Sequence, residues 1–290
     1  MNELFVGHQL VWQRLVSEIN DNRVAGSYLF YGPPGIGKSL VAKAFTALLF
    51  CVSPQNGTPC RRCVSCEKVF SDNHVDFNIV MPLNDRKTIS VDQCREVITN
   101  SSLAPLEAKY KVVLFPETTL LGESGWNALL KTLEEPQPGR IFILVAKDLS
   151  SVLPTIRSRC RKISFNSPSY EESIKFLGES EGAIQQALYL ANGSIGMAKR
   201  ILDEGFLSLL TQIQQAKSYQ SVQGVVEFII KNEVDLNLLF LVLLRSQLDV
   251  YIKDQAYGHL QKMDKIRQAS RDIRGHVNKT FVLENLLYAS

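Results

Sequence analysis

The sequence predicts an α/β layered nucleotide-binding domain followed by a helical half. Three observations carry that prediction. A glycine-rich octapeptide, Gly32-Pro33-Pro34-Gly35-Ile36-Gly37-Lys38-Ser39, lies between a short apolar run and an amphipathic pattern. Apolar runs of strand length alternate with helical patterns up to about residue 165, as expected for a parallel sheet with helices on both faces. Beyond Ser167-Pro168-Ser169 the strand-like runs stop and only helical spacing remains.

Composition sets broad bounds. The 290 residues are 45% hydrophobic and 21% charged, with a net charge of +3, which is ordinary globular usage and too mild a charge to indicate nucleic-acid binding by itself. Length suggests about two domains, with room for a third small one. The opening Met1-Asn2-Glu3-Leu4 has no basic-then-apolar secretory pattern. The longest apolar run, Leu238 to Leu244, falls far short of the roughly 18 residues of a membrane helix. The expectation is a cytoplasmic protein without membrane association, whose six cysteines stay reduced.

In chain order, Val6-Gly7-His8-Gln9 reads as a turn before an amphipathic helix with Leu10, Val11, Leu15 and Ile19 on its apolar side. Tyr28-Leu29-Phe30-Tyr31 reads as a strand, and the octapeptide then fits GxxxxGK[ST] in its mechanical context of strand, turn and helix. Backbone N–H groups of such a loop curl around phosphates at a helix N-terminus. Lys38 would reach the β- and γ-phosphates, and the Ser39 hydroxyl would take a Mg²⁺ position. The expected cofactor is therefore ATP or ADP, with Mg²⁺ possible. The candidate contacts are Gly32, Pro33, Pro34, Gly35, Ile36, Gly37, Lys38 and Ser39, together with Val6 and Gly7 of the opening turn.

Cys51, Cys60, Cys63 and Cys66 follow with the spacing C-x8-C-x2-C-x2-C. Pro54, Gly57 and Pro59 make the first interval a loop. Four thiolates so close can close a tetrahedral Zn²⁺ shell with no position left for water, a structural site. The alternative, four unrelated thiols, leaves the paired CxxC steps unexplained. His74 is expected at the surface, and Cys94 and Cys160 as small apolar residues.

Phe77-Asn78-Ile79-Val80 reads as a strand, and Ser90-Val91-Asp92-Gln93 as a capping-box start to a helix. Lys111 to Phe115 and Ile141 to Val145 are continuous apolar runs, the mark of buried parallel strands. Between them a helix presents Trp126, Leu129, Leu130 and Leu133 and stops around Pro136. Three short helices follow, with Asn192-Gly193-Ser194 as a stop and restart. Another break at Asp203-Glu204-Gly205 precedes longer helices to the end.

The segment Lys111 to Pro138, which contains Gly125-Trp126-Asn127-Ala128-Leu129-Leu130-Lys131-Thr132-Leu133-Glu134-Glu135-Pro136, resembles the bacterial DNA polymerase III clamp-loader ATPase subunits. So do Thr155-Ile156-Arg157-Ser158-Arg159-Cys160 and the four-cysteine insert behind the phosphate-loop helix. The resemblance runs from about Val6 to Arg200. It implies a RecA-like AAA+ module (1–165, with a zinc module at 51–66), a small helical lid (166–204) and an all-α collar (205–290). It also implies a hetero-pentameric ring with gamma/tau-like and delta-like subunits, which loads a sliding clamp onto primer–template DNA during replication.

Hydrolysing members of that family carry an Asp-Glu pair where this chain has Pro116-Glu117, so the acid that helps hold Mg²⁺ is replaced and only Glu117 remains to position water. A polar residue sensing the γ-phosphate is expected near Ala146-Lys147, and an arginine where Gly196 follows Gly193-Ser194-Ile195. The three departures favour the delta-prime kind of subunit over gamma/tau, with no ATPase activity of its own expected. What the resemblance retains is Arg159, as a finger to a neighbour's ATP. On residue types alone, Arg157, Arg159, Arg161 and Lys162 also read as a solvated basic edge. Two other readings remain: an active gamma/tau-type ATPase, and a non-replicative zinc-containing P-loop regulator.

Overall fold

The computed structural model describes residues 6–83, 86–178, 181–255, 257–275 and 277–288. The chain forms two compact units, residues 1–176 and 177–290. No helix among the described residues is long and apolar enough to cross a membrane.

The first unit begins with α1 (Gln9–Asn20) and β1 (Ser27–Tyr31), and the phosphate loop leads into α2 (Lys38–Phe50). The apolar face of α1 differs from the expected one: Leu10 is 83% exposed, while Trp12 and Leu15 are buried. Trp12 takes the inward place because its indole Nε1 donates to the carbonyl of Gly57 at 3.0 Å, which pins the cysteine loop onto α1. Next come α3 (Val64–Phe70), β2 (Phe77–Ile79) and α4 (Val91–Ser102), the last with its capping box formed between Ser90 and Gln93. The order continues with β3 (Lys111–Phe115), a 3₁₀ turn at Thr118–Leu120, α5 (Glu123–Glu134) and β4 (Arg140–Ala146). Then follow α6 (Pro154–Arg157), β5 (Arg161–Ser164) and α7 (Tyr170–Leu177).

All five strands pair in parallel in the order β2-β3-β4-β1-β5. One core layer packs Trp12, Phe30, Phe45 and Phe165 on one face, and the other packs Phe115, Trp126, Leu129 and Phe142 on the opposite face. Continuous apolar strands are the consequence of this double covering. The C-terminal ends of β1, β3 and β4 lie side by side, where open parallel sheets hold ligands.

β5 was not evident in the sequence. Its residues Arg161-Lys162-Ile163-Ser164 read as a basic edge, yet Ile163 is buried and the strand pairs with β1. Arg161 is consumed structurally: it donates to the buried Glu18 carboxylate at 2.9 Å, which also accepts from the Tyr28 hydroxyl at 2.6 Å. Burial, and after it that hydrogen bond, pushes the Tyr28 hydroxyl pKa up.

The second unit is helical throughout its described residues: α8 (Glu181–Leu190), α9 (Ile195–Asp203), α10 (Phe206–Gln215), α11 (Tyr219–Lys231), α12 (Leu236–Asp254), α13 (Tyr257–Arg274) and α14 (Lys279–Tyr288). α12 packs along α13 and α11 along α14. Leu238, Leu239, Phe240, Val242 and Leu243 of α12 are buried, as a helix apolar nearly all round must be. Ser194 caps α9, its hydroxyl accepting the Met197 N–H, and Gly196 stands in that helix's first turn.

Candidate functional site

Gly32 and Gly37 explain why the phosphate loop closes as it does. A Cβ at Gly32 would lie 2.1 Å from the Phe165 carbonyl, so only glycine lets the loop pass β5. Gly37 caps α2 with φ near 97°, a left-handed conformation that favours glycine. Lys38 is only 6% exposed, and its Nζ donates to the Gly32 and Pro33 carbonyls at 2.7 and 2.5 Å. Burial lowers its pKa to about 8, which leaves a partly desolvated ammonium inside a ring of backbone dipoles.

Above the loop is a cleft of about 470 Å³ lined by Pro34, Gly35, Gly37, Lys38, Ser39 and Leu40, by Pro116, Glu117, Thr118 and Thr119 after β3, and by Val145, Ala146 and Lys147 at the end of β4. The Ser39 hydroxyl sits 3.5 Å from the Pro116 main-chain carbonyl, where a metal-binding pocket would present a carboxylate. Glu117 is exposed, and one of its oxygens accepts from the Thr119 hydroxyl at 2.6 Å. Thr118 is wholly buried, and its hydroxyl has no hydrogen-bond partner.

The structure thus brings most of the expected phosphate-loop residues together with Glu117. Val6 and Gly7 do not line the cleft. They lead instead to His8, which is buried and whose Nε2 donates to the Ile36 carbonyl at 2.6 Å. His8 also meets Phe165 edge-on at 5.0 Å. Burial lowers the His8 pKa, so the ring is neutral at neutral pH. His8 and Thr118 are the parts that sequence reading passed over, whereas Lys147, beside Ala146 where a γ-phosphate sensor is expected, lines the cleft. The only available signal for these two was their place directly after Gly7 and Glu117.

Arg159 does not line this cleft. Its guanidinium donates to the Thr155 carbonyl at 2.8 Å and to the Glu134 carboxylate at 2.9 Å, while its Nε is buried without a partner. Its side chain is 28% exposed, so it is held near the surface on its own chain rather than aimed at its own phosphate loop.

Cys51, Cys60, Cys63 and Cys66 have sulfur atoms all within 4.8 Å of one another, close to the about 3.8 Å separation of thiolates in a tetrahedral site. Cys63 caps α3 and Cys66 lies in its first turn. The Cys60 N–H points to the Cys51 sulfur at 3.3 Å and the Cys66 N–H to the Cys63 sulfur at 3.5 Å, the kind of backbone support that metal-bound thiolates receive. Backbone hydrogen bonding, first from Arg62, holds the Cys60 thiol at a pKa of about 6, whereas burial pushes Cys51 and Cys66 up. The donor set fits a metal ion.

His74, expected at the surface, is buried with its ring 4.5 Å from that of Phe50. The turn into β2 folds inward because the buried Asp76 carboxylate accepts the backbone N–H groups of Leu106, Glu107 and Ala108. Burial alone would raise the Asp76 pKa; these bonds outweigh it and lower it.

Residues 7–169 match the family described as DNA polymerase III, delta subunit. The chain is 30% identical over 218 residues to the DNA polymerase III subunit delta' of Pseudomonas aeruginosa, covering 73% of this chain and 66% of that protein. It is 29% identical over 226 residues to the DNA polymerase III subunit tau/gamma of Haemophilus influenzae, covering 70% of this chain and 32% of that protein. The chain therefore spans just under two thirds of one relative and about a third of the other. A DNA polymerase III gamma subunit-related protein from Thermotoga maritima superposes with a TM-score of 0.54 over 95% of this chain and 97% of that one, at 15% identity, a likeness of fold.

Proposed function

The chain belongs to the DNA polymerase III delta-subunit family, and from that premise we propose that it acts as a delta-prime-like subunit of a replicative AAA+ clamp loader. In this reading it sits in a ring with gamma/tau-like and delta-like subunits that places a sliding clamp on primer–template DNA. It binds nucleotide at Gly32–Ser39, is poor at hydrolysis, and lends Arg159 to an adjacent ATPase. Residues 166–204 form the lid and 205–290 the collar through which the ring assembles. Cys51, Cys60, Cys63 and Cys66 hold a structural Zn²⁺.

The observation that carries this reading is the contrast around Ser39: an intact cradle faces a proline carbonyl instead of an acid, while Arg159 stands outside the cleft on Glu134. In a reconstituted ring, Arg159→Ala should leave assembly intact. It should cut turnover at the neighbouring site by roughly 10³-fold or more, the usual worth of such a finger. Unchanged DNA-stimulated ATPase in that ring refutes the assignment. Glu117 in the cleft favours a second reading, an active gamma/tau-type ATPase; multiple-turnover hydrolysis by the isolated chain would put it first.

A further inference from the structure

Nucleotide pockets that hydrolyse ATP offset the triphosphate charge with Mg²⁺, held by the loop hydroxyl and an acidic residue behind it. The donor set here does not fit that ion. Ser39 faces a main-chain carbonyl, and the nearby carboxylate of Glu117 is engaged by Thr119. Two ammonium groups, Lys38 and Lys147, line the same cleft with that one carboxylate. Added cationic charge is disfavoured where lysines already stand, since like charges repel most strongly in a partly desolvated cleft.

Lys147 is exposed at the end of β4, and its flexible four-carbon stem lets its ammonium follow an anion. The Thr118 hydroxyl, wholly buried and without a partner, is a second and independent sign of a missing ligand, because buried polar groups are normally hydrogen-bonded.

We propose that this cleft binds a nucleoside triphosphate without a divalent metal, with Lys147 supplying at the terminal phosphate the positive charge that Mg²⁺ supplies elsewhere and Thr118 donating a hydrogen bond to the same phosphate. The proposal rests on the nucleotide-binding reading above and goes beyond it by naming the counter-charge. It gives the Pro116 substitution a consequence: ATP occupancy continues without the divalent ion that neutralises charge on the transferring phosphoryl group. It also gives the site a preference for triphosphate over diphosphate, because the terminal phosphate is what Lys147 meets.

The test is isothermal titration of the full chain with ATP and with ADP, in excess EDTA and in excess MgCl₂. ATP should bind at least as tightly in EDTA as in MgCl₂, where the metal holds most of the nucleotide, and Lys147→Ala should weaken ATP about tenfold in EDTA, the scale of one charge-assisted contact. ADP affinity should be unchanged by Lys147→Ala, and Lys147→Arg should restore ATP. Thr118→Val should weaken ATP and not ADP; Thr118→Ser, which keeps the hydroxyl in a smaller side chain, should bind as the parent does. ATP binding that needs Mg²⁺ overturns the metal-free site and leaves the nucleotide reading standing. Full ATP affinity in Lys147→Ala overturns the role of Lys147. Absence of ATP binding in both conditions overturns the proposal and the nucleotide reading together.

Discussion

The cysteine cluster and the nucleotide cleft both belong to the α/β unit, and both announce themselves in the sequence by short-range spacing. They differ in completeness. The cluster brings four sulfurs within 4.8 Å of one another and adds backbone N–H groups to two of them. The cleft keeps Lys38 in its cradle but meets Ser39 with the carbonyl of Pro116. In the proposed reading, a binding geometry persists here without the acid that would hold the catalytic metal. A structural metal shell has no such separable part, since every ligand is needed to close it.

The largest effect expected is on the complete site. Metal bound to four thiolates contributes to folding directly, with apparent binding energies on the order of 10 kcal/mol. Stripping it with a strong chelator, or replacing the buried Cys66 by serine, should lower the melting temperature of the α/β unit by about 10 °C or more. Differential scanning calorimetry with matched metal analysis checks this. Stoichiometric metal absent from purified protein, or an unchanged melting temperature, would erase the contrast between a closed site and an open one. Zinc binding should also release protons and strengthen as pH rises, because burial holds the Cys51 and Cys66 thiols in the protonated form.

The incomplete site should respond in the opposite way, by gaining a property. Pro116→Asp places a carboxylate beside Ser39 and should make ATP binding Mg²⁺-dependent by about tenfold, one tight carboxylate–metal contact. Titration of the variant with and without Mg²⁺ reads this directly. Binding no tighter with Mg²⁺ than without it would mean that more than the missing acid separates this cleft from a hydrolytic one.

Legibility followed the range over which each feature is specified. The phosphate loop, the Ser90 cap and the cysteine spacing are set by residues within a few positions of one another, and each stands where its pattern places it. The buried strands Lys111–Phe115 and Arg140–Ala146 were legible because both faces are covered. β5 was not: three of its four residues are polar, and what makes it a strand is its partner β1, more than a hundred residues upstream. Long-range partners also explain Leu10 and His74. Trp12 outcompetes Leu10 for the interior through a bond to Gly57, and His74 is drawn in by the loop that Asp76 anchors. The tether of Arg159 to Glu134 spans two motifs that read separately in sequence.

The smallest effect expected separates the two regions by their histidines. His8 braces the phosphate loop through Ile36, and His74 packs on Phe50, next to the first cysteine. Burial lowers both pKa values, against the pull of Glu172 on His8 and of Glu107 and Asp76 on His74. A base whose folded pKa is depressed stabilises fully above its unfolded value, 6.5 here. As pH falls through that value, the unfolded chain takes up protons that the folded chain resists. Each histidine then contributes a loss of up to about 1.4 kcal/mol per pH unit until its folded pKa is reached. Urea unfolding at pH 7 and pH 5 should show the α/β unit weakening in acid. His8→Gln keeps an N–H for the Ile36 carbonyl but cannot titrate, so it should remove about half of that loss and leave ATP affinity near the parent value. An acid loss undiminished in His8→Gln would place all of the titration at His74, on the cysteine side of the unit, and would leave the brace at Ile36 with a packing role only.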